Sequence, residues 1–180
     1  LDTPLPEEGD HGVSVRLARP ADEPEINRLY IARGMVPLRE GYCADWHPAV
    51  SILVAEARGG DGHLLGVVMG VDHVEAFRDP DNGASLWALS VDPQASLPGI
   101  GRALTLDLAR RMRETGRAFL DLSVMHDNEQ AIALYRQIGF VQIPVYCVKT
   151  RNSINQKLYI GPSLDSEVNI YARILIDEAR

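Results

Sequence analysis

The segment Ser85-Leu-Trp-Ala-Leu-Ser-Val-Asp-Pro-Gln-Ala-Ser-Leu-Pro-Gly-Ile-Gly-Arg-Ala-Leu104 holds the residues with the clearest chemistry. An apolar run suited to a strand ends, a tight loop with Gly99 and Gly101 follows, and a helix pattern begins. Glycines there let main-chain N–H groups face outward with no Cβ in the way. The helix start adds about half a positive charge, so a diphosphate is the natural guest. Arg102 offers a charged contact to it. The dinucleotide fingerprint would need a third glycine at position 104, where leucine stands. The nucleoside-triphosphate loop would need Lys-Ser/Thr after the last glycine, and Arg102-Ala103 supplies neither. The diphosphate of coenzyme A remains. Taken alone, the two glycines fit an ordinary strand-to-helix turn equally well.

A second group lies downstream, Asn128-Glu-Gln-Ala-Ile-Ala-Leu-Tyr-Arg-Gln-Ile-Gly-Phe140. With the glycine loop it resembles the signature of the GNAT acetyltransferases, a glycine loop followed by N-x-x-A-x-x-x-Y-x-x-x-G-F. The resemblance runs over roughly residues 13–149, and the opening Arg16-Leu-Ala-Arg-Pro-Ala-Asp22 also fits it. One departure is Ser96, at a loop position where the family often has Gln or Arg. The resemblance implies acetyl-CoA as donor and a small-molecule amine as acceptor. It implies that Leu89, Ser90 and Val91 pair with the pantetheine arm, with one amide polarising the thioester carbonyl. Leu97, Pro98, Gly99, Ile100, Gly101 and Arg102 would cradle the diphosphate. Asn128 would bond the pantetheine or an ordered water, and Tyr135 would protonate the departing thiolate. That last role is chemically sound, since a phenol near ~10 and a thiol near ~8.5 exchange a proton at modest cost. The same tyrosine also suits the edge of a core formed with Ala131, Leu134 and Ile138, and Asn128 suits a helix cap.

The general base is left open among Asp72, His73, Asp121, Ser123 and His126, because the strand from Ser85 to Val91 carries no acid. Deprotonating a lysine-like amine costs roughly 3 kcal/mol more at neutral pH than deprotonating an α-amine. A chain without an evident base thus leans toward an α-amine. Arg39, Asp72, His73, Trp87 and His126 are the expected acceptor contacts, being near strand ends or in the irregular loop. Histidines at such places more often serve structure.

Less generic stretches resemble one subgroup, the acetyltransferase portion of the N-acetylglutaminylglutamine synthetases, which make an osmoprotectant dipeptide. They are Gly70-Val-Asp-His-Val-Glu-Ala-Phe77, Ser85 to Pro93, Leu120-Asp-Leu-Ser-Val-Met-His-Asp-Asn128 and Lys149-Thr-Arg-Asn-Ser-Ile-Asn155. That resemblance implies glutamine or glutaminylglutamine as acceptor and a covalently following ATP-grasp ligase, whose first helix would be Tyr171–Arg180. Two alternatives stand beside it: a non-catalytic acyl-CoA-binding domain regulating a larger ligase, and a GNAT enzyme acting on a polyamine, aminoglycoside or peptide.

The elements that must position these residues are legible from periodicity. Strands are expected at Val13–Leu17, Val50–Ala57, His63–Val71, Ser85–Val91 and Ala118–Met125, with one or two more over Phe140–Lys149 broken at Pro144. The Arg58–Gly62 turn joins the second and third as a hairpin. Helices are expected after Asp22, an N-cap with Glu25 three positions on, up to Gly34, and at Gly99–Thr115 and Asn128–Ile138. Met35–Pro48 has no clear period, and Asp79-Pro-Asp-Asn-Gly83 reads as a plain turn. The order implies a mixed, mostly antiparallel α/β sheet of about six or seven strands with helices on both faces. Residues 1–12 read as a flexible lead-in, 13–149 as the acetyltransferase domain and 150–180 as an extension.

Composition narrows the function classes. The chain has 180 residues, a formal net charge of −7 and 46% apolar residues. That suits one domain with a proper core and offers no basic patch for nucleic acid. No apolar run is long enough to span a membrane. Two cysteines, Cys43 and Cys147, lack metal or redox spacing, and the histidines lack ligand spacing, so no metal is expected. These features and the acetyl-CoA expectation suit the cytoplasm and leave a homodimer open.

Overall fold

The computed structural model describes residues 1, 4–6, 12–150 and 153–161. Seven strands form a single sheet: β1 Val13–Leu17, β2 Val50–Ala57, β3 Leu64–Asp72, β4 Gly83–Val91, β5 Phe119–Met125, β6 Val141–Thr150 and β7 Ser153–Ile160. Their spatial order is β1-β2-β3-β4-β5-β7-β6. Among these pairs β4 and β5 alone run parallel. The helices among the described residues are α1 Glu23–Ala32, α2 His73–Phe77, α3 Ile100–Glu114 and α4 Glu129–Ile138. The expected mixed, mostly antiparallel α/β sheet is therefore present.

Apolar residues on both faces of the central strands explain why helices cover the sheet on two sides. Leu53, Ala55 and Val68 pack in one cluster with Leu104, Leu108 and Met112 of α3 and Ile138 of α4. The alternate residues Ile52, Val54, Val67 and Met69 pack in a second cluster with Ile26, Leu29 and Tyr30 of α1. Two glycines of β3 let α3 lie directly on the sheet. A Cβ at Gly66 would stand 2.9 Å from side-chain carbons of Ile100 and Leu104, and one at Gly70 would stand 2.6 Å from Leu108.

α1 ends as expected. Gly34, at φ +69°, follows the cap, with Gly34 N–H on Ile31 O at 3.0 Å and Met35 N–H on Tyr30 O at 2.8 Å. Its start differs from expectation. Asp22 stands at the N-cap but makes no side-chain cap bond. Its carboxylate accepts from Arg19 N at 2.7 Å and from both terminal nitrogens of Arg16 at 2.7 and 2.9 Å. A guanidinium satisfies two oxygens at once, so the charged fork wins over a helix amide. These bonds to Arg16 hold the Asp22 carboxyl below the usual range.

Two further expectations are corrected, and one element had no expectation to meet. β7 lies between β5 and β6, paired on both sides, so the sheet continues to Ile160 and does not stop at residue 149. The lead-in includes core residues: Leu1 is buried and Leu5 packs on the α3 cluster. The segment after β3 forms the short α2, because Asp72 caps it by accepting from Val74 N at 2.9 Å. The bulge expected at Pro144 matches a register shift between Ile143 and Tyr146. The proposed helix Tyr171–Arg180 lies outside the described residues.

Gly66→Ala should overpack the α3–β3 contact, where the carbonyl oxygen of Ser90 also stands 3.1 Å from the added carbon. We expect a loss of about 1–3 kcal/mol in chemical denaturation. Weaker acetyl-CoA binding in calorimetry should accompany it, since Ile100 opens α3.

Candidate active site

β4 and β5 pair only from Gly83–Phe119 to Leu86–Leu122. Beyond that point both strands continue, to Val91 and Met125, without pairing to each other. The cause is visible on the other side of β4. Its register with β3 shifts between Met69↔Ala88 and Gly70↔Leu86, leaving Trp87 as an extra residue. A bulge bends its strand and reverses the alternation of side chains. Accordingly Ala84, Leu86, Leu89 and Val91 belong to the α3 cluster, whereas Ser85 and Ala88 lie on the other face.

Asp92 N donates to Leu65 O at 2.8 Å, which marks alternate residues of β4 as bonded to β3. The main-chain groups of Leu89 and Val91 therefore turn away from β3, toward the open side. Val91 O accepts there from Arg33 Nε at 2.9 Å. From Leu86 to Val91 this edge is about 16 Å long at ~3.3 Å per residue. It suits an extended, amide-bearing arm such as pantetheine.

At the wide end of the fork stands the N-terminus of α3. Gly99 is its N-cap, in the left-handed region at φ +78° and ψ +12°, with no side-chain cap bond. Ala103 N–H is bonded to Gly99 O, and the amides of Ile100 and Gly101, ahead of that bond, have no acceptor within the helix. First-turn acids are absent. This cradle fits a diphosphate by its geometry and its dipole. Gly101 serves differently from expectation: it is helical, and its added Cβ would meet Leu134 at 3.2 Å and Val91 at 3.6 Å. It lets α4 and β4 close in on the helix start, while the turn conformation belongs to Gly99. The loop is fixed upstream by Asp92, which accepts from Gln94 N at 2.9 Å and from Arg28 at 3.0 Å. Those bonds, led by the Gln94 amide, hold its carboxyl low.

α4 flanks the fork from the α3 side. Asn128 caps it, accepting from Ala131 N at 3.2 Å, and its side chain is exposed. Tyr135 is 5% exposed, its ring centroid 5.6 Å from that of Phe140. Burial pushes its phenol up to about 12, so it is protonated at neutral pH. The packing role read from its helix face is thus real.

The opposite face carries a polar cluster. His73 opens α2 and is 3% exposed, stacked on Phe77 at 5.0 Å. Its Nε2 lies 2.7 Å from Ser85 Oγ, and Ser85 also donates to Asp121. Ser85 and Asp121 are register partners one step before the fork opens. Asp72, Asp121 and His73 were all expected candidates, but Asp72 is engaged as the α2 cap and as the partner of Arg117 Nε at 2.7 Å. Trp87 is 65% exposed at the bulge. Arg39 lies over the Tyr42 ring at 5.4 Å, and His126 is exposed in the turn after β5. Burial pushes the Cys43 thiol up to about 11, which suits packing and not nucleophilic chemistry. Ser85 was missed. A serine amid apolar strand residues has to bond something, which was the available signal.

Residues 21–140 match the Acetyltransferase (GNAT) family. A mycothiol acetyltransferase of Segniliparus rotundus is 32% identical, over 76% of this chain and 55% of that protein. The chain spans about a third to about half the length of the curated relatives it matches first. The ribosomal-protein-S18-alanine N-acetyltransferase of Escherichia coli shares the fold with a TM-score of 0.66 at 20% identity, covering 86% of this chain and 97% of that one. A Salmonella typhimurium acetyltransferase solved with its cofactor acetyl-CoA gives 0.64 at 18% identity, covering 88% and 99%. With the fork, the uncapped α3 start and this match over most of its length, the chain belongs to the GNAT acetyltransferase family, whose donor is acetyl-CoA.

Proposed function

We propose that the chain transfers the acetyl group of acetyl-CoA to the α-amine of a small, amino-acid-like acceptor. The observation that carries it is the fork, with a diphosphate cradle at its wide end and a buried polar cluster at its apex. Acetyl-CoA bound there supplies an activated thioester. The amides of Ile100 and Gly101, with Arg102 beside them, hold the diphosphate. Leu89 and Val91 pair with the arm, and one of their amides donates to the thioester carbonyl. Asn128 supports the arm with its amide, and Tyr135 gives its proton to the leaving sulfur. Trp87 and Ser85 are assigned to the acceptor side, and Arg39 and His126 are kept as acceptor contacts from the sequence reading.

The α-amine follows from chemistry: the diverging half of β4, Trp87 to Val91, carries no acid, so proton removal leans on a group outside that edge and on the amine's own acidity. An α-amine gives up its proton roughly 3 kcal/mol more easily than a lysine-like one. Within that class glutamine and glutaminylglutamine come first, on the four stretches that resemble the N-acetylglutaminylglutamine synthetases. The mycothiol acetyltransferase relatives point to a different acceptor. A following ATP-grasp ligase rests on the sequence resemblance, and a homodimer is left open. A cytoplasmic location goes with the use of acetyl-CoA.

One observation favours a second reading, a binding-only regulatory domain: Tyr135 is buried against Phe140, as a packing residue would be. Tyr135→Phe separates the two. We expect acetyl-CoA affinity within about twofold of wild type and kcat lower by about 100-fold. An unchanged kcat removes Tyr135 from the chemistry. For the acceptor, thiol release should be measured with glutamine, glutaminylglutamine, polyamines and aminoglycosides. Activity confined to the last two classes refutes the α-amine reading, and silence with every amine favours the regulatory domain. Gly99→Ala must adopt a left-handed conformation at about 1–2 kcal/mol. It should raise KM for acetyl-CoA several-fold and leave KM for the amine unchanged.

A further inference from the structure

Among the described residues two buried side-chain atoms lack a hydrogen-bond partner, Tyr30 Oη and His73 Nδ1. The second belongs to a network whose hydrogens can be counted. Asp121, when ionised, only accepts, so Ser85 Oγ–H donates to it. Ser85 Oγ then accepts from His73, so the hydrogen of the neutral ring is on Nε2, 2.7 Å away. Nδ1 is left bare. It faces Asp79 Oδ2 at 3.8 Å, with both side chains 3% exposed. Two acceptors confronted in a buried site repel unless a proton lies between them. A further proton can therefore be held between Nδ1 and Asp79 Oδ2.

The place of Ser85 and Asp121 in the fold gives the network a use. The diphosphate cradle is at the wide end of the fork, so an arm held there would lie along β4 toward the apex. There Ser85 and Asp121 face each other across the last paired rungs, on the side away from α3. We propose that Asp121 accepts the proton of the acceptor ammonium, with Ser85 and His73 as positioning residues that hold its carboxylate ready. This rests on the acetyl-transfer reading above. In the step an ammonium N–H bond breaks and an O–H bond forms on Asp121. The nitrogen keeps the electron pair and forms the C–N bond as the C–S bond breaks; Tyr135 gives the leaving sulfur its proton, and the second proton shed by the nitrogen returns through water to the Tyr135 phenolate. His73 Nε2–H fixes Ser85 as donor to Asp121, so the loaded oxygen is set by the ring's tautomer.

The charged and titratable groups around the ring are defined. Asp72 ends β3 and is paired with Arg117, Glu75 is exposed on α2, and Asp79 lies in the following turn. Asp121 is on β5, with Tyr159 of β7 opposite it in register. Asp79 is fixed by accepting from Asp81 N at 2.9 Å and Gly83 N at 2.8 Å, so it is held toward Nδ1 as a latent partner.

Two measurements on the whole chain test this. In nitrogen-15 NMR of labelled histidine, His73 should carry its hydrogen on Nε2 at high pH and gain one on Nδ1 as pH falls. A ring with its hydrogen on Nδ1 at high pH overturns the network as counted, whatever the acceptor. Asp121→Asn should keep acetyl-CoA binding and its KM, lose about 100-fold in kcat near neutral pH, and recover as pH rises and the amine deprotonates itself. His73→Gln, which can still donate to Ser85, should keep most of the rate, whereas His73→Leu should lose about tenfold. An Asp121→Asn protein that melts like wild type with unchanged kcat and pH profile overturns the proposal. Wild type inactive with every amine instead overturns the acetyl-transfer reading, a result distinct from both.

Discussion

The interaction on which the rest depends is one that is not made. After Leu86–Leu122 the parallel ladder between β4 and β5 ceases, although both strands continue. Unpaired main-chain amides inside a protein are costly, so an interrupted ladder persists only where something else answers it. The interruption has a local cause, the extra residue Trp87, and a global one. Parallel strands need a crossover, and here the crossover is α3, whose first turn stands where β4 ends. Strand bulge, fork and helix start are therefore parts of one geometric event. A ligand with amides in its middle and a diphosphate at its end satisfies all of it together.

The sheet also separates the two groups of residues to which the proposed chemistry is assigned. On the α3 side are the cradle, Asn128 and Tyr135; on the other are His73, Ser85 and Asp121. The bulge makes this possible, because Ser85 and Leu89 would share a face in a regular strand. Positions far from the chemistry keep the fork open. Gly66 and Gly70 lower α3 onto β3, and Asp92 ties the end of β4 to Arg28 of α1. Packing and ion pairing thus fix the separation between the helix start and the strand edge, which is the dimension a bound arm would sense.

Much of this was readable in the residues. Periodicity gave six of the strands and the long helices, because burial on one or two faces leaves a direct trace in the order of apolar residues. The glycine loop declared itself through its conformational demands, and failed the other two phosphate patterns at Leu104 and at Arg102-Ala103. What escaped depends on partners distant in sequence. A bulge at Trp87 is set by register with Met69 and Gly70, which no window around Trp87 contains. β7 was assigned to an extension because its place between β5 and β6 is a topological fact. α2 is too short for a period to register. Gly101 was grouped with Gly99 for its type, although one answers to backbone conformation and the other to Leu134. Asp22 looked like a cap because the competing guanidinium of Arg16 lies in another element.

The burial of Tyr135 bears on whether a phenol can act as the acid at all. Held at about 12, it is a weaker acid than an exposed tyrosine. Giving its proton to a thiolate near ~8.5 would then be roughly 5 kcal/mol uphill. That comparison sets a buried group against a solvated one. A thiolate expelled beside Tyr135 is generated in the same poorly hydrated surroundings, which raise the proton affinity of sulfur as they raise that of oxygen. Desolvation acts on both partners with one sign and largely cancels from the difference, while keeping the phenol fully protonated until the sulfur departs. A residue packed into the core and a residue that gives up a proton are compatible descriptions of Tyr135, provided its hydroxyl meets the sulfur inside the protein and not in water.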